Sequence, residues 1–309
     1  MAINATTEAA LDQLDARLRI LLPPDYQDTY EDLQPVSMGS AGLKYAADGT
    51  VAWDEIWGSF CDLAMAGGPP HKGALLGPGT RADVEAEPAR YEQVVAEICR
   101  GITMVTGLES GPSPMPGWVR VDTYSDGMAG WLLRAITMEN VAVRLDGRAL
   151  DLPAAPAFRI EKEIKNVITV IAKTTHYWMG HMPRAQRIEI ATLLTALANE
   201  SPLVQPCWPV DGQQADAAAS AAAALTDRLR RETGVRPSAQ QYAGWCGVEC
   251  GDVRAAVWTM RALVAHNVLA RREGTALFVP VNPERDPAGD RVSAALKRVV
   301  ALATARQVF

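Results

Sequence analysis

Residues 158–183, FRIEKEIKNVITVIAKTTHYWMGHMP, constrain the fold more than any other stretch. Ile160, Ile164, Val167, Ile168, Ile171 and Trp178 are spaced as one face of a helix with a 3.6-residue period. A second row, Glu163, Asn166, Val170, Lys173 and Tyr177, advances by threes and fours and makes a stripe of its own. The segment therefore predicts a long helix that is too polar to be core alone. Lys173 follows the run ITVIA. Held in apolar surroundings, a lysine can act as a base, a Schiff-base former or an anion anchor. The competing reading is a stem laid on the core with the amine in water. Glu163 and Lys165 are either part of the polar stripe or solvated face charges.

The chain of 309 residues is long enough for about two domains. Hydrophobic content is 48% and charged content 21%, as in ordinary globular proteins. No run of about 18 apolar residues reads as a membrane span. The opening residues lack the basic, apolar and cleavage regions of a secretory leader. They read instead as an amphipathic helix stopped at Pro23-Pro24. A net charge of −6 disfavours nucleic-acid binding by the whole molecule. The five cysteines, Cys61, Cys99, Cys207, Cys246 and Cys250, are odd in number and fit a reducing cytoplasm. Cys246 and Cys250 lack the second pair a zinc site needs and read as buried small hydrophobes. Alanine-rich segments with arginine in excess of lysine point to a GC-rich bacterial source.

In chain order, Leu43-Lys44 predicts a strand and Asp48-Gly49 a turn. Trp53, Ile56, Trp57, Phe60, Leu63 and Ala64 predict a helix that Gly67-Gly68-Pro69-Pro70 ends. A short strand, Ala74 to Leu76, and a helix from Pro88 to Leu108 follow. Ser110–Gly117 (SGPSPMPG) reads as a linker. Strand 118–122, helix 126–140 and a hairpin around Asp146-Gly147 come next. Residues 184–200 predict another helix, and SPLVQPCWPVDGQQ predicts a domain boundary.

Two segments, WGSFCDLAMAGGPPHKGALLGP and WLLRAITMENVAVRLDGRALDLP, both read as helix, turn and strand before a long helix. They suggest two βαβα-type halves, 41–109 and 117–183, with a ligand crevice between them. The expected architecture is α+β, α/β-like in its N-terminal part. A terminal helix (1–24) precedes an α/β body (25–205). A further domain (215–283) and a C-terminal helix (286–309) complete the chain.

Residues 225–282 resemble the winged helix-turn-helix superfamily. LTDRLRRETGV is a first helix, SAQQYAGWCGV a second capped by Ser238, and ECGDVRAAVWTMRALVAHNVL the recognition-helix position. ARREGTALFVPVN is the wing around Glu273-Gly274. The resemblance implies the fold and leaves the function open. Arg254 and Arg261 are the only basic residues of the recognition-helix segment, beside Glu249 and Asp252, which favours protein docking over DNA reading. Arg271-Arg272 in the wing argue for phosphate contact.

The scarce histidines are His71, His176, His181 and His266. His71 follows a Gly-Gly-Pro-Pro corner, and His176 and His181 end the long helix. His266 reads as structural. His71 or His176 are candidate general bases, with Lys173 and Tyr177 completing the catalytic set. Lys72, Glu163 and Asn166 are candidate ligand contacts. His71, His176 and His181, with Asp62 or Glu163, are candidate ligands for a divalent metal. On a regular helix, residues five apart lie about 140° around the axis, so His176 and His181 would not share a face. The alternative is that His176 and Tyr177 simply finish the helix, where an imidazolium suits the dipole. No dinucleotide, Walker A or nucleophile-elbow motif is present.

The expectation is a cytoplasmic enzyme acting on a small anionic molecule. The second domain would then dock or oligomerise, as a homodimer or with a partner protein. The alternatives are a ligand-responsive DNA-binding regulator and a non-catalytic partner subunit.

Overall fold

The computed structural model describes residues 5–27, 42–56, 63–68, 70–71 and 73–308. Its helices are α1 (Ala5–Leu21), α2 (Pro24–Gln27), α3 (Arg81–Ala86), α4 (Pro88–Thr106), α5 (Asp126–Met138), α6 (Lys165–His176), α7 (Arg184–Glu200), α8 (Gly212–Thr233), α9 (Val253–Ala265) and α10 (Asp290–Ala305). Its strands are β1 (Ser110–Pro112), β2 (Trp118–Asp122), β3 (Arg144–Asp146), β4 (Ala149–Pro153), β5 (Arg236–Pro237), β6 (Trp245–Glu249), β7 (Arg271–Glu273) and β8 (Ala276–Pro280). No described helix is long and apolar enough to cross a membrane.

The chain divides into two compact units, residues 32–187 and residues 1–31 with 188–309. In the first, one antiparallel sheet has the order β1-β2-β4-β3, with Trp118 opposite Pro153 and Val121 opposite Leu150. Helix α4 starts with proline at its first turn and ends at Gly107 in the left-handed region. Both features suit their positions. Ser125 accepts a hydrogen bond from the Met128 N–H and starts α5. Twelve of the 13 residues of α5 are buried, so it is a central helix with no solvent face. Helix α6 packs on both α4 and α5.

In the second unit the sheet order is β5-β6-β8-β7, again antiparallel. Asp211 and Asp252 cap α8 and α9. Helix α1 packs on α9 and α10. Arg17 holds both Glu200 oxygens, at 2.7 and 2.9 Å, and Arg306 reaches Asp15 at 2.7 Å.

The two units carry one topology: helix, two strands, buried helix, hairpin, helix. Their sequences align with a constant offset of 127 and no gap from Gly117–Pro153 to Gly244–Pro280, with 14 of 37 positions identical. Trp118/Trp245, Trp131/Trp258, Arg134/Arg261, Asn140/Asn267 and Arg144/Arg271 are among them. The backbone repeats as well. Asn140 and Asn267 both have positive φ, 59° and 63°, a region asparagine tolerates better than most residues. Their carbonyls accept from the Leu76 and Val204 N–H groups. Gly117 and Gly244 have φ of 86° and 74°, and their carbonyls accept from Ala154 and Val281, each at 2.8 Å. We read the units as copies of one duplicated module.

The structure departs from several sequence expectations. Both sheets are antiparallel, so the fold is α+β without an α/β body. Segments 41–109 and 117–183 do not form two βαβα halves. All four described strands of that unit lie between residues 110 and 153, in a single sheet. The SGPSPMPG segment is not a linker but contains β1, an edge strand where Pro112 removes no interior ladder bond. The strands expected at Leu43-Lys44 and at 74–76 reduce to single bridges, Tyr45–Val51 and Leu76–Val141. The helix expected from Val51 leaves short 3₁₀ turns at Trp53–Glu55 and Ala64–Ala66. Trp57, Phe60, Cys61 and Asp62 lie outside the described residues. The second helix expected at SAQQYAGWCGV is instead β6, whose inward Trp245, Cys246 and Val248 suit a strand. A hairpin around Glu273-Gly274 and the terminal helices stand where expected. The boundary assigned to 201–214 is internal to its unit, since Val204 pairs with Val268.

A side chain added at Gly117 would overlap the Gly79 carbonyl, and at Gly244 the Cys207 carbonyl. Gly49, at φ 83°, faces open space. Gly117→Ala and Gly244→Ala are each expected to destabilise by more than about 2 kcal/mol, and Gly49→Ala by about 1 kcal/mol. Urea denaturation with unchanged m-values would measure the difference.

Candidate functional site

Glu139 ends α5 and is fully buried. Its Oε1 accepts from Lys173 Nζ at 2.6 Å and from the Ala64 N–H at 3.0 Å. Its Oε2 accepts from the His71 N–H at 2.8 Å. One carboxylate thus joins the Gly-Gly-Pro-Pro corner to the middle of α6. These are the two stretches that the sequence singled out, and Glu139 was not among the expected site residues. Its signal lay in MENV, an acidic residue closing an otherwise apolar helix.

Lys173 is 1% exposed. Its amine is therefore not in water, as the snorkelling alternative required. It is not an unpaired base or anion anchor either, because Glu139 neutralises it. Lys173 positions; it does not present a reactive amine. The His71 backbone is held by Glu139 and its side chain is half-buried. Lys72 lies outside the described residues.

The end of the long helix explains how His176 and His181 meet. Residues Tyr177–His181 form a π-helical turn, and the Met182 N–H reaches the Tyr177 carbonyl at 3.1 Å. The wider turn brings residues five apart onto one face, correcting the separation expected of a regular helix. His176 Nε2 lies 3.0 Å from His181 Nε2, so one ring donates and the other accepts. The Tyr177 ring, almost fully buried, stands 4.9 Å from the His181 ring. Burial, then the neighbouring His181, holds the His176 imidazole below its ordinary value.

A second π-helical turn, Ile160–Ile164, opens the same helix. Glu163 accepts from the Arg159 N–H at 3.1 Å and its guanidinium at 3.4 Å. Burial acts against ionisation, yet these donors hold the Glu163 carboxyl below its usual value. It thus closes the helix start rather than facing a histidine. Asn166 is half-buried one turn further on. Among the described residues, no three His, Cys, Asp or Glu side chains are grouped to hold a metal ion. The three-histidine arrangement is therefore not formed.

In the second unit, α9 is buried over 11 of its 13 residues, from Ala255 to Ala265. A helix so enclosed presents no face to a DNA groove. Arg271 is fully buried, with its guanidinium 4.1 Å from the Phe278 ring centre and 4.3 Å from that of Tyr242. Arg272 is 5% exposed and Arg261 2%. The wing arginines thus serve packing rather than phosphate. His266 is held below its ordinary value by burial, as expected of a structural histidine. Burial pushes the Cys250 thiol up to about 12 and raises that of Cys246, so both are inert apolar groups.

The chain matches no family model, no curated protein and no solved structure.

Two outcomes follow from this geometry. Removing one member of a buried ion pair strands the other. Lys173→Met is expected to destabilise by about 3–5 kcal/mol, and Lys173→Met combined with Glu139→Leu by less than the sum of the single changes. Chemical denaturation of the four proteins measures the coupling. His176 is expected to titrate below an ordinary histidine. Because its folded value is depressed, the unfolded chain binds the proton first, and its contribution to stability falls as pH drops through about 6.5. His181→Ala should move the His176 titration part of the way back up, read from imidazole resonances.

Proposed function

We propose that residues 32–187 carry an acid–base site for a small anionic molecule. Glu139, bonded to both Lys173 and the His71 corner, is the observation that carries this reading. A buried ion pair is weak evidence for stability, and a hydrophobic pair of similar volume does as well or better. The duplicated unit supports the same point. His266 stands at the position of Glu139, and the fold forms there without the pair. Glu139 and Lys173 are therefore better accounted for by what they position than by what they stabilise.

In this reading His71 is the general acid or base, oriented by its backbone bond to Glu139. The His176 and His181 rings, in contact through their Nε2 atoms, form a second proton-transfer group. Lys72, beside His71 in sequence, supplies positive charge for the anion. Tyr177 offers a hydroxyl on the same helix end. The second unit, with its buried α9 and wing arginines, serves as a docking or oligomerisation module. No observation favours the DNA-reading alternative.

The test is a thermal-shift screen of the full chain against phosphate-, sulfate- and carboxylate-bearing metabolites. A ligand at about one hundred times its dissociation constant stabilises by about 2.7 kcal/mol, a rise of several degrees. The expected result is a hit whose affinity falls at least about tenfold in His71→Ala and in His176→Ala. If both variants fold and bind the hit as tightly as the parent protein, the site is elsewhere. If no anion in the screen binds, the substrate class is wrong.

A further inference from the structure

The duplication offers an internal comparison that exposes a second site, in the other unit. In the first unit Tyr91, on α4, lays its side chain against the start of β2. Its hydroxyl accepts from the Gly117 N–H at 3.0 Å and the Trp118 N–H at 3.1 Å, and lies 3.2 Å from the Trp118 carbonyl. At the offset of 127, Tyr91 corresponds to Ala218, Glu92 to Ala219 and Val95 to Ala222. The helical register is the same, because Ile98/Leu225 and Ile102/Leu229 are buried and Gly107/Gly234 close both helices in the left-handed region. Where the first unit has a tyrosine ring, the second has a cavity of about 470 Å³ between α8 and residues 237–247. Ala218, Ala219, Ala222, Gly244 and Trp245 line it.

Two buried donors accompany the cavity. Gly244 is buried, and no described residue accepts from its N–H, whereas the equivalent Gly117 N–H has the Tyr91 hydroxyl. The Trp245 indole N–H is also buried without an acceptor, on a side chain only 3% exposed. Buried donors normally find partners. The space is an open groove whose volume lies within the range of small-ligand sites, with an alanine wall on α8 and polar groups, among them Thr226, Ser238 and Gln240, beside it.

We propose that this cavity binds a small phenolic molecule. Its ring would take the space of the Tyr91 ring, and its hydroxyl would accept from Gly244 as Tyr91 accepts from Gly117. The volume exceeds that of one phenol ring, so a ring carrying a further substituent fits. The site is separate from the histidine site, and neither depends on the other.

The test is isothermal titration calorimetry of the full chain with p-cresol, the side chain of tyrosine in free form. Toluene is the control for the hydroxyl. Binding of p-cresol is expected at least tenfold tighter than that of toluene. Ala218→Tyr, which restores the residue of the first unit, is expected to fold and to weaken p-cresol binding at least tenfold. If that variant does not fold, Ala222→Phe is read in its place with the same expectation. No p-cresol binding at millimolar concentration overturns the proposal. So does equal binding of toluene, or undiminished binding by the folded variant. A tyrosine-bearing pentapeptide that binds tenfold tighter than p-cresol would overturn the small-molecule form in favour of a partner's side chain.

Discussion

The Glu139 carboxylate organises the unit that contains it. It is fully buried, with three donors on it: a lysine amine and two backbone N–H groups. Each partner comes from a different part of the chain, so the corner after Gly67-Gly68 and the interior of α6 are fixed by one group. A charge in that position is tolerated only if every lone pair finds a donor. The consequence is a corner whose conformation depends on an ion pair rather than on apolar packing. It is the His71 backbone that the carboxylate holds.

The duplicated unit separates the requirements of the fold from those of the site. Both units keep the left-handed glycine before a buried tryptophan, the tryptophan and arginine inside the central helix, and the left-handed asparagine after it. These serve close backbone crossings and cores. The treatment of the paired arginines differs. Arg144 is matched by Asp151, at 2.9 Å, which also binds Arg120 at 3.0 Å. In the second unit Phe278 replaces that aspartate, and Arg271 lies against aromatic rings with Glu273 at 2.6 Å. One position is thus satisfied by charge pairing in one copy and by cation–π contact in the other. The backbone is indifferent to the choice.

Much of this was legible in the sequence. Helices α1, α4, α5, α7 and α10 and the two hairpins follow from periodicity, caps and turn residues. The long helix was placed correctly, but its π-helical ends were not, because a wider turn leaves no mark in a 3.6-residue pattern. That error hid the meeting of His176 and His181. The Glu139–Lys173 pair was half visible. Lys173 stood out against ITVIA, but nothing local names a partner 34 residues away. The duplication was fully present in the sequence, yet comparing segments inside the first 185 residues paired the wrong halves. Gly117-Trp118 and Gly244-Trp245 would have set the right register. Reading β6 as a helix obscured it, since AGWCGV matches a helix-turn-helix turn as readily as a strand entry.

Where two copies of a module sit in one chain, agreement between them marks what the fold needs, and disagreement marks where selection was free or had other work. Glu139 against His266 and Tyr91 against Ala218 are disagreements in which a buried residue of one unit, Glu139 or Ala218, faces a half-buried one of the other. In one, a charge was placed where its copy shows none is required. In the other, one unit has a ring where its copy has an open groove of about 470 Å³. They fall in different units and involve different chemistry, one ionic and one aromatic.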